Sequence, residues 1–138
     1  ERFCTNFHRL PNSVKSRLTV ENDDKATMYS VQDLYDGVYK VIGIPIVFDY
    51  HHHRFNTGDL SEQQALELAM STWGDIVPVV HYSESRNIEQ EDDKIRPQAH
   101  SDYVYDYIDT YGNEVDIMVE AKAKELAVLK YKEIHEIV

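Results

Sequence analysis

Residues 44–53 of this 138-residue chain read Ile-Pro-Ile-Val-Phe-Asp-Tyr-His-His-His. The apolar run is rich in β-branched residues and stops at an acid, Asp49, before a polar segment begins. A short apolar run of this kind is typical of a strand that is buried on both faces, as in the centre of a parallel sheet. The stretch therefore predicts an α/β fold.

Three further segments have the same form, and each ends in an acid or a histidine. The four predicted strands are residues 17–21, 44–49, 76–81 and 115–120, which end at Glu21, Asp49, His81 and Glu120. Their ends are 28, 32 and 39 residues apart (21 to 49, 49 to 81 and 81 to 120). Those spacings are the lengths of βα repeats, in which a helix returns the chain to the start of the next parallel strand.

Helical signals fill the gaps between these strands. The first three predicted helices each begin at a serine that can cap the helix and end at a glycine suited to a left-handed C-cap. They run from Ser30 to Gly43, from Ser61 to Gly74 and from Ser101 to Gly112. A last helix is predicted from about Ala121, and its apolar face carries Leu126, Leu129, Ile134 and Ile137.

Residues 1–138 are predicted to form a single domain. Four βα units amount to half of a (β/α)8 TIM barrel, whose usual size is about 250 residues. An ordinary four-stranded α/β layer is the alternative architecture. The chain opens on Glu1 rather than on Met, which is expected of a fragment of a longer protein.

Charge and cysteine content narrow the possible functions. The formal net charge of −11 argues against a protein that binds nucleic acid over a broad basic face. Carboxylates that hold metal ions do not present bare negative charge to DNA, so a metal-dependent nuclease is compatible with this value. The single cysteine, Cys4, allows no intramolecular disulfide, and an intracellular location is expected.

The residues at the four strand ends are the candidate catalytic centre. The carboxyl ends of consecutive parallel strands open on one side of a sheet or barrel, so these side chains are expected to converge there. Carboxylate oxygens with imidazole nitrogen, and no thiolate, suit manganese, zinc or iron. The alternative for any one of the acids is that it caps the helix that follows it.

Four more residues enter the candidate site through its loops. The spacing of Asp49 and His52 allows the acid to face one ion while the loop turns back and places the imidazole at another. His51 and His53 are then neighbours rather than ligands, with hydrogen bonds to DNA or to a bound water left open, and a solvated loop is the alternative for the triplet. His100 lies at the start of the third predicted helix and can join His52.

Four blocks of the chain together resemble the UV damage endonucleases, which are relatives of the metal-dependent AP endonucleases within the xylose-isomerase-like barrels. The blocks are residues 6–11 (Asn-Phe-His-Arg-Leu-Pro), 18–24 (Leu-Thr-Val-Glu-Asn-Asp-Asp), 44–55 (ending in Phe-Asp-Tyr-His-His-His-Arg-Phe) and 115–125 (Val-Asp-Ile-Met-Val-Glu-Ala-Lys-Ala-Lys-Glu). The resemblance covers essentially the whole chain. It implies the second half of that family's barrel, from the helix before the fifth strand to the last helix.

The resemblance also implies a role for each ligand. Glu21 is expected to bridge two ions, and the second ion is completed by Asp49, His81 and Glu120. His52 and His100 are expected to hold a third ion, whereas the first ion needs histidines from earlier strands that this chain does not contain. In the family a lysine that can carry a carboxylate group usually stands where this chain has Val79.

Two lysines beyond the last predicted strand, Lys122 and Lys124, are candidates for neutralising a phosphate. The alternative is that they are solvated charges on the final helix.

By resemblance, the implied function is a DNA repair endonuclease that cuts on the 5′ side of ultraviolet photoproducts by a multi-metal mechanism and leaves a 3′-hydroxyl. The expected partners are damaged double-stranded DNA and either the amino-terminal half-barrel or a second copy of this chain, with no membrane. A metal-dependent sugar isomerase of the same barrel superfamily and an inactive, self-associating half-barrel are the alternatives.

Overall fold

The computed structural model describes all residues 1–138 and contains one four-stranded sheet. Its strands are β1 Val20–Glu21, β2 Ile46–Asp49, β3 Val79–Tyr82 and β4 Asp116–Val119, in the order β1-β2-β3-β4. All three pairings are parallel. The α/β class and the four predicted strands are confirmed. Strands β2 and β3 begin directly after Pro45 and Pro78, because proline has no N–H to give to a ladder.

The chain also forms eight short α-helices. They are α1 Arg2–Phe7, α2 Asn12–Lys15, α3 Val31–Leu34, α4 Lys40–Ile42, α5 Tyr50–Phe55, α6 Glu62–Met70, α7 Arg86–Glu89 and α8 Glu125–Ile134. A π-helical turn, Tyr35–Tyr39, joins α3 to α4, and a 3₁₀ turn, Ser71–Trp73, extends α6. None of these helices has both the length and the apolar character required to cross a membrane.

The first two predicted helices begin and end as their caps indicate, with one exception. Ser30 and Ser61 each cap a helix and form a capping box with the residue three positions on. Gly43 ends the first helix in the left-handed conformation, at φ 73° and ψ 16°. Gly74 also has a positive φ, but its ψ of −125° lies outside the left-handed helical region. The left-handed cap predicted there is therefore wrong, because the chain leaves a 3₁₀ turn and swings away toward β3.

The helix predicted from Ser101 to Gly112 does not form. The backbone amides of this segment bond to distant carboxylates instead of to carbonyls four residues back. Glu84 accepts from the N–H groups of Tyr105 and Asp106 at 3.0 Å each, and Glu89 accepts from those of two residues earlier in the segment. Aromatic and β-branched residues have only modest helix propensity, so these contacts prevail. The apolar side chains are buried all the same, at Val104 and Ile108.

The last helix begins at Glu125, four residues later than predicted, and buries a different face. Its buried side chains are Ala127 and Tyr131. The four residues of the predicted apolar face are exposed: Leu126, Leu129, Ile134 and Ile137. This apolar face is therefore not covered by any other part of the chain. The small Ala127 lets the helix approach the rest of the chain, and the larger side chains point away from it.

The main core lies between the sheet and the helices on one of its faces. Ile46, Phe48, Val80 and Tyr82 from the two central strands pack against residues of α3 and α6. Because successive side chains of a strand point to opposite faces, Asp49 and His81 point away from this core. The fold thus places apolar residues on one face and the candidate ligands on the other.

Candidate metal site

The candidate ligands meet at the carboxyl edge of the sheet. Asp49 and His81 are directly paired across β2 and β3, Glu21 ends β1, and Glu120 follows β4. His81 Nδ1 lies 3.3 Å from Glu21 Oε1 and 3.3 Å from Glu120 Oε1. Oxygen and nitrogen atoms that share a metal ion at about 2.0–2.2 Å have this kind of mutual spacing. The convergence predicted from the strand ends is therefore present.

Two overlapping groups share the buried carboxylate of Asp49. Glu21, Asp49 and His52 form one group, and Asp49, His81 and Glu120 form the other, with ligand atoms within 4.8 Å of one another in each. His52 Nδ1 is 3.4 Å from Glu21 Oε1 and 3.6 Å from Asp49 Oδ2. The shared carboxylate therefore joins two clusters of possible ligand atoms.

His100 reaches the same edge from the far side. An isolated antiparallel bridge joins it to Ser85 beyond β3, and its Nε2 is 3.9 Å from Glu120 Oε2. The implied pairing of His100 with His52 on one ion stays a prediction, because the structure places His52 with Glu21 and Asp49.

Unpaired buried atoms show that the residues fit a cation. Asp49 Oδ2 and His81 Nδ1 are buried and have no hydrogen-bond partner of acceptable geometry. Buried polar atoms are nearly always paired, so an orphan in a native site calls for an explanation such as an ion. Here a carboxylate oxygen and an imidazole nitrogen are left free at the point where two more carboxylates arrive. This donor set fits a divalent metal ion.

The two central carboxyl groups have opposite pKa shifts. Burial, together with the neighbouring Glu21, raises the pKa of Asp49 to about 7. Burial also acts to raise the pKa of Glu21, but polar contacts with His81 and Asp49 outweigh it and lower that pKa to about 2. Without a cation the pair therefore favours one charge and one proton. A divalent cation would take the place of the proton.

A family model described as UV-endonuclease UvdE matches residues 1–137. The chain belongs to this family. The family resemblance stated from the four sequence blocks is thereby confirmed, and it favours the endonuclease reading over the sugar isomerase.

Individual relatives agree with the family match. The chain is 35% identical to a UV DNA damage endonuclease of Bacillus cereus (strain Q1), over 99% of this chain and 43% of the relative. It is 38% identical to a UV-damage endonuclease of Schizosaccharomyces pombe, over 94% of this chain and 22% of the relative. The crystal structure of SacUVDE matches with a TM-score of 0.78 at 34% identity, over 98% of this chain and 45% of that one. The chain spans less than half the length of these relatives.

The remaining histidines of the triplet are structural in this UvdE-family chain. Residues 50–55 form α5 rather than a solvated loop, and His51 and His53 are buried. His51 Nε2 lies 3.1 Å from the carbonyl oxygen of Gln98, and its ring packs edge-on against His100. Burial lowers the pKa of His51 to about 4. A neutral, enclosed His51 does not reach DNA, but it supports the segment that carries His100.

The two candidate phosphate lysines are exposed on the segment after β4. The backbone N–H of Lys122 donates to the Ser101 carbonyl at 3.0 Å, which ties this segment to the one that carries His100. Lys124 precedes α8 with a positive φ of 53°. Neither lysine forms an ion pair, so both ammonium groups are exposed and unpaired.

Two residues that sequence reasoning did not single out support the site. Asn22 is buried between Glu21 and the end of β2, and Glu84 binds the backbone beyond His100. The sequence contains a signal for Asn22, because this polar residue directly follows a predicted strand and lies within the specific block of residues 18–24. Glu84 had no local signal for this role, since the amides of Tyr105 and Asp106 that its carboxylate binds are more than twenty residues away.

Proposed function

We propose that this chain is the carboxyl-terminal half of a (β/α)8-barrel DNA repair endonuclease that hydrolyses the phosphodiester bond 5′ to ultraviolet photoproducts. Divalent metal ions, manganese or zinc, are its cofactors. The observation that carries the proposal is the unpaired pair of buried atoms, Asp49 Oδ2 and His81 Nδ1, set between the carboxylates of Glu21 and Glu120. The names of the relatives supply the substrate class.

Each side chain has a distinct task in this proposal. Glu21 contacts both His52 and His81 and would be the carboxylate shared between two ions. Asp49, His81 and Glu120 would complete the shell of one ion, while His52 and His100 would hold another. A bound divalent cation would act as a Lewis acid that neutralises charge on the phosphate and lowers the pKa of water at the site. Lys122 and Lys124 would attract the adjoining phosphates of a strand laid across the carboxyl edge.

The half-barrel is supported by the edges of the sheet. Strands β1 and β4 each have a neighbour on one side, and β4 exposes Ile117 and Met118. Uncovered strand edges and contiguous apolar surface favour pairing with another chain segment. The partner is either the amino-terminal half-barrel, which would also supply the histidines of the remaining ion, or a second copy of this chain. A DNA substrate would require the protein to act inside the cell.

The metal site can be tested by calorimetric titration with Mn²⁺. We expect the chain to bind weakly, and Glu21→Gln and Glu120→Gln each to lower the affinity, because an amide does not supply the charge of a carboxylate. Glu114→Gln is the matched control, since Glu114 is exposed near the amino end of β4. Equal affinity in all four proteins would disprove the ligand assignment.

The open edges of the sheet, at β1 and β4, predict that copies of this chain associate with one another. We expect a homodimer or larger species at moderate protein concentration, measured by light scattering. Leu129→Gln, on the exposed face of α8, should weaken it because it makes the apolar surface polar. Ile88→Gln on α7 is the control at a comparably exposed position. A monodisperse wild-type monomer with a cooperative melt would count against the half-barrel.

The activity test is incision of a labelled duplex that carries one defined photoproduct. The substrate is offered to this chain alone and to this chain joined to the amino-terminal part of the Bacillus cereus relative. Product length on a denaturing gel identifies the bond that is cut.

A further inference from the structure

The side chain of Asn22 holds the end of β2 through two hydrogen bonds. It is 1% exposed, and its side-chain amide bonds twice to the backbone of Asp49. Nδ2 donates to the Asp49 carbonyl at 3.0 Å, and Oδ1 accepts from the Asp49 N–H at 2.8 Å. The pairing of β1 with β2 stops at Glu21, so the amide supplies the ladder bonds that a longer strand would have made.

The backbone of the same residue contacts His52. The Asn22 carbonyl oxygen lies 2.7 Å from His52 Nδ1. A carbonyl oxygen has only lone pairs, so a contact this short requires a proton on Nδ1. A neutral imidazole that carries its proton on Nδ1 has its one free lone pair on Nε2.

This bond resolves an ambiguity in the metal site. Judged by spacing alone, His52 Nδ1 could be a ligand beside Glu21 Oε1 at 3.4 Å and Asp49 Oδ2 at 3.6 Å. The contact with the Asn22 carbonyl is shorter than either. Nδ1 cannot donate a proton to that carbonyl and coordinate a cation at the same time.

We infer that Asn22 is a positioning residue that selects the nitrogen of His52: Nδ1–H is donated to the Asn22 carbonyl, and Nε2 is offered to an ion other than the one between Asp49, His81 and Glu120. Asn22 therefore contacts both Asp49 and His52, the two ends of this turn. Asp49 Oδ1 accepts from the His52 N–H at 2.8 Å, so Asn22 holds the capping residue as well as the ring. Ring nitrogens of metal-binding histidines are commonly fixed in this way by a carbonyl on the other nitrogen.

The inference rests on the proposed function only for what Nε2 binds, since the tautomer is a property of the chain itself. The first measurement is therefore the tautomer of His52 in the ¹⁵N-histidine-labelled, metal-free chain, by nitrogen–proton correlation NMR at a pH well above the imidazole pKa. His52→Gln assigns the resonance. We expect the Nδ1–H form. An Nε2–H form in the wild-type chain would overturn the inference.

The second measurement adds Zn²⁺ to the same sample. We expect the Nε2 resonance of His52 to shift while Nδ1 keeps its proton. Loss of the Nδ1 proton with a shift of Nδ1 would place His52 on the ion of Glu21 and Asp49 and would also overturn the inference. If no histidine responds to Zn²⁺ but the Nδ1–H form is present, the proposed metal function fails and the role of Asn22 in fixing the tautomer stands.

The third measurement uses Asn22→Ala, which removes both side-chain bonds to Asp49. We expect a mixture of His52 tautomers and a Zn²⁺ affinity lowered by about 10- to 100-fold, the usual effect of losing such an outer partner. Asn56→Ala is the matched control, because Asn56 Nδ2 donates to carbonyl oxygens of the neighbouring segment at Asp23, Lys25 and Met28. Equal tautomers and affinities in the two variants would contradict the inference. If Asn22→Ala does not fold, the tautomer of His52 in the wild-type chain still tests the inference.

Discussion

His52→Ala and His81→Ala should each abolish incision of ultraviolet-damaged DNA by a barrel in which this chain is joined to the amino-terminal part of its Bacillus cereus relative. His81 Nδ1 touches both Glu21 and Glu120, so its loss removes one of the ligands that fix the ion against the phosphate. We expect the rate of incision to fall by more than the roughly 10- to 100-fold that is lost when a residue that only supports a metal ligand is removed. The rate of cutting of a duplex with one photoproduct, in Mn²⁺, is the measurement.

The same assay separates this chain from the complete barrel. The isolated chain should cut negligibly, since the histidines of one ion and half of the DNA-binding surface would come from the other half. His8→Ala is the control for the histidine variants, because His8 is exposed and takes no part in the site. Robust cutting by the isolated chain would refute the half-barrel proposal. Cutting by the joined barrel that survives both histidine changes would refute the metal mechanism.

Asp49→Asn should stabilise the metal-free chain and remove its response to Mn²⁺. Asp49 is 0% exposed and faces Glu21 with an unpaired oxygen. Asparagine keeps an oxygen that accepts from the His52 N–H, and it removes a buried charge. The desolvation penalty of an unpaired buried group is roughly 1–3 kcal/mol when the group is neutral and larger when it is charged. We therefore expect a higher thermal midpoint for the variant without metal. Mn²⁺ should raise the midpoint of the wild type only, because a ligand stabilises just the state that binds it.

The pH dependence follows from the raised pKa of Asp49. Its pKa rises from 3.8 in the unfolded chain to about 7 in the folded one, so the folded state holds the proton more tightly. Below about pH 4 the protonated Asp49 makes its full contribution to the free energy of unfolding. This contribution is lost as the pH rises toward 7, and the advantage of Asp49→Asn should grow over that window and then level off. Asp75→Asn, at an exposed position, is the control. A lower midpoint for Asp49→Asn above pH 7 would contradict the explanation.

The strand ends were predictable because their signals are local. Each strand is a short apolar run that stops at a ligand-type residue, and parallel strands necessarily end on the same edge. Those two facts bring Glu21, Asp49, His81 and Glu120 together without any knowledge of packing. The caps at Ser30, Ser61 and Gly43 belong to the same class, since a cap bonds to residues three or four positions away.

Features that depend on distant partners were not predictable. The segment after His100 has the spacing of a helix, yet Glu84 and Glu89 bind its amides and keep it from forming one. Similarly, the apolar stripe of α8 predicts a buried face, but nothing in this chain covers it. Periodicity reports which residues share a face and does not report what that face meets.

Neighbours along the chain are enough to predict the α/β class, the order of the strands and the residue types at the carboxyl edge. The spacing of Asp49 and His52 already separates His52 from the two histidines beside it, but what those two histidines contact follows only from the tertiary structure. His51 is buried against Gln98 and His100, His53 packs on Phe48, and His52 turns to Glu21 and the Asn22 carbonyl. The direction of a side chain is set by the contacts that its helix makes with the rest of the fold. A run of identical residues carries no information about those contacts.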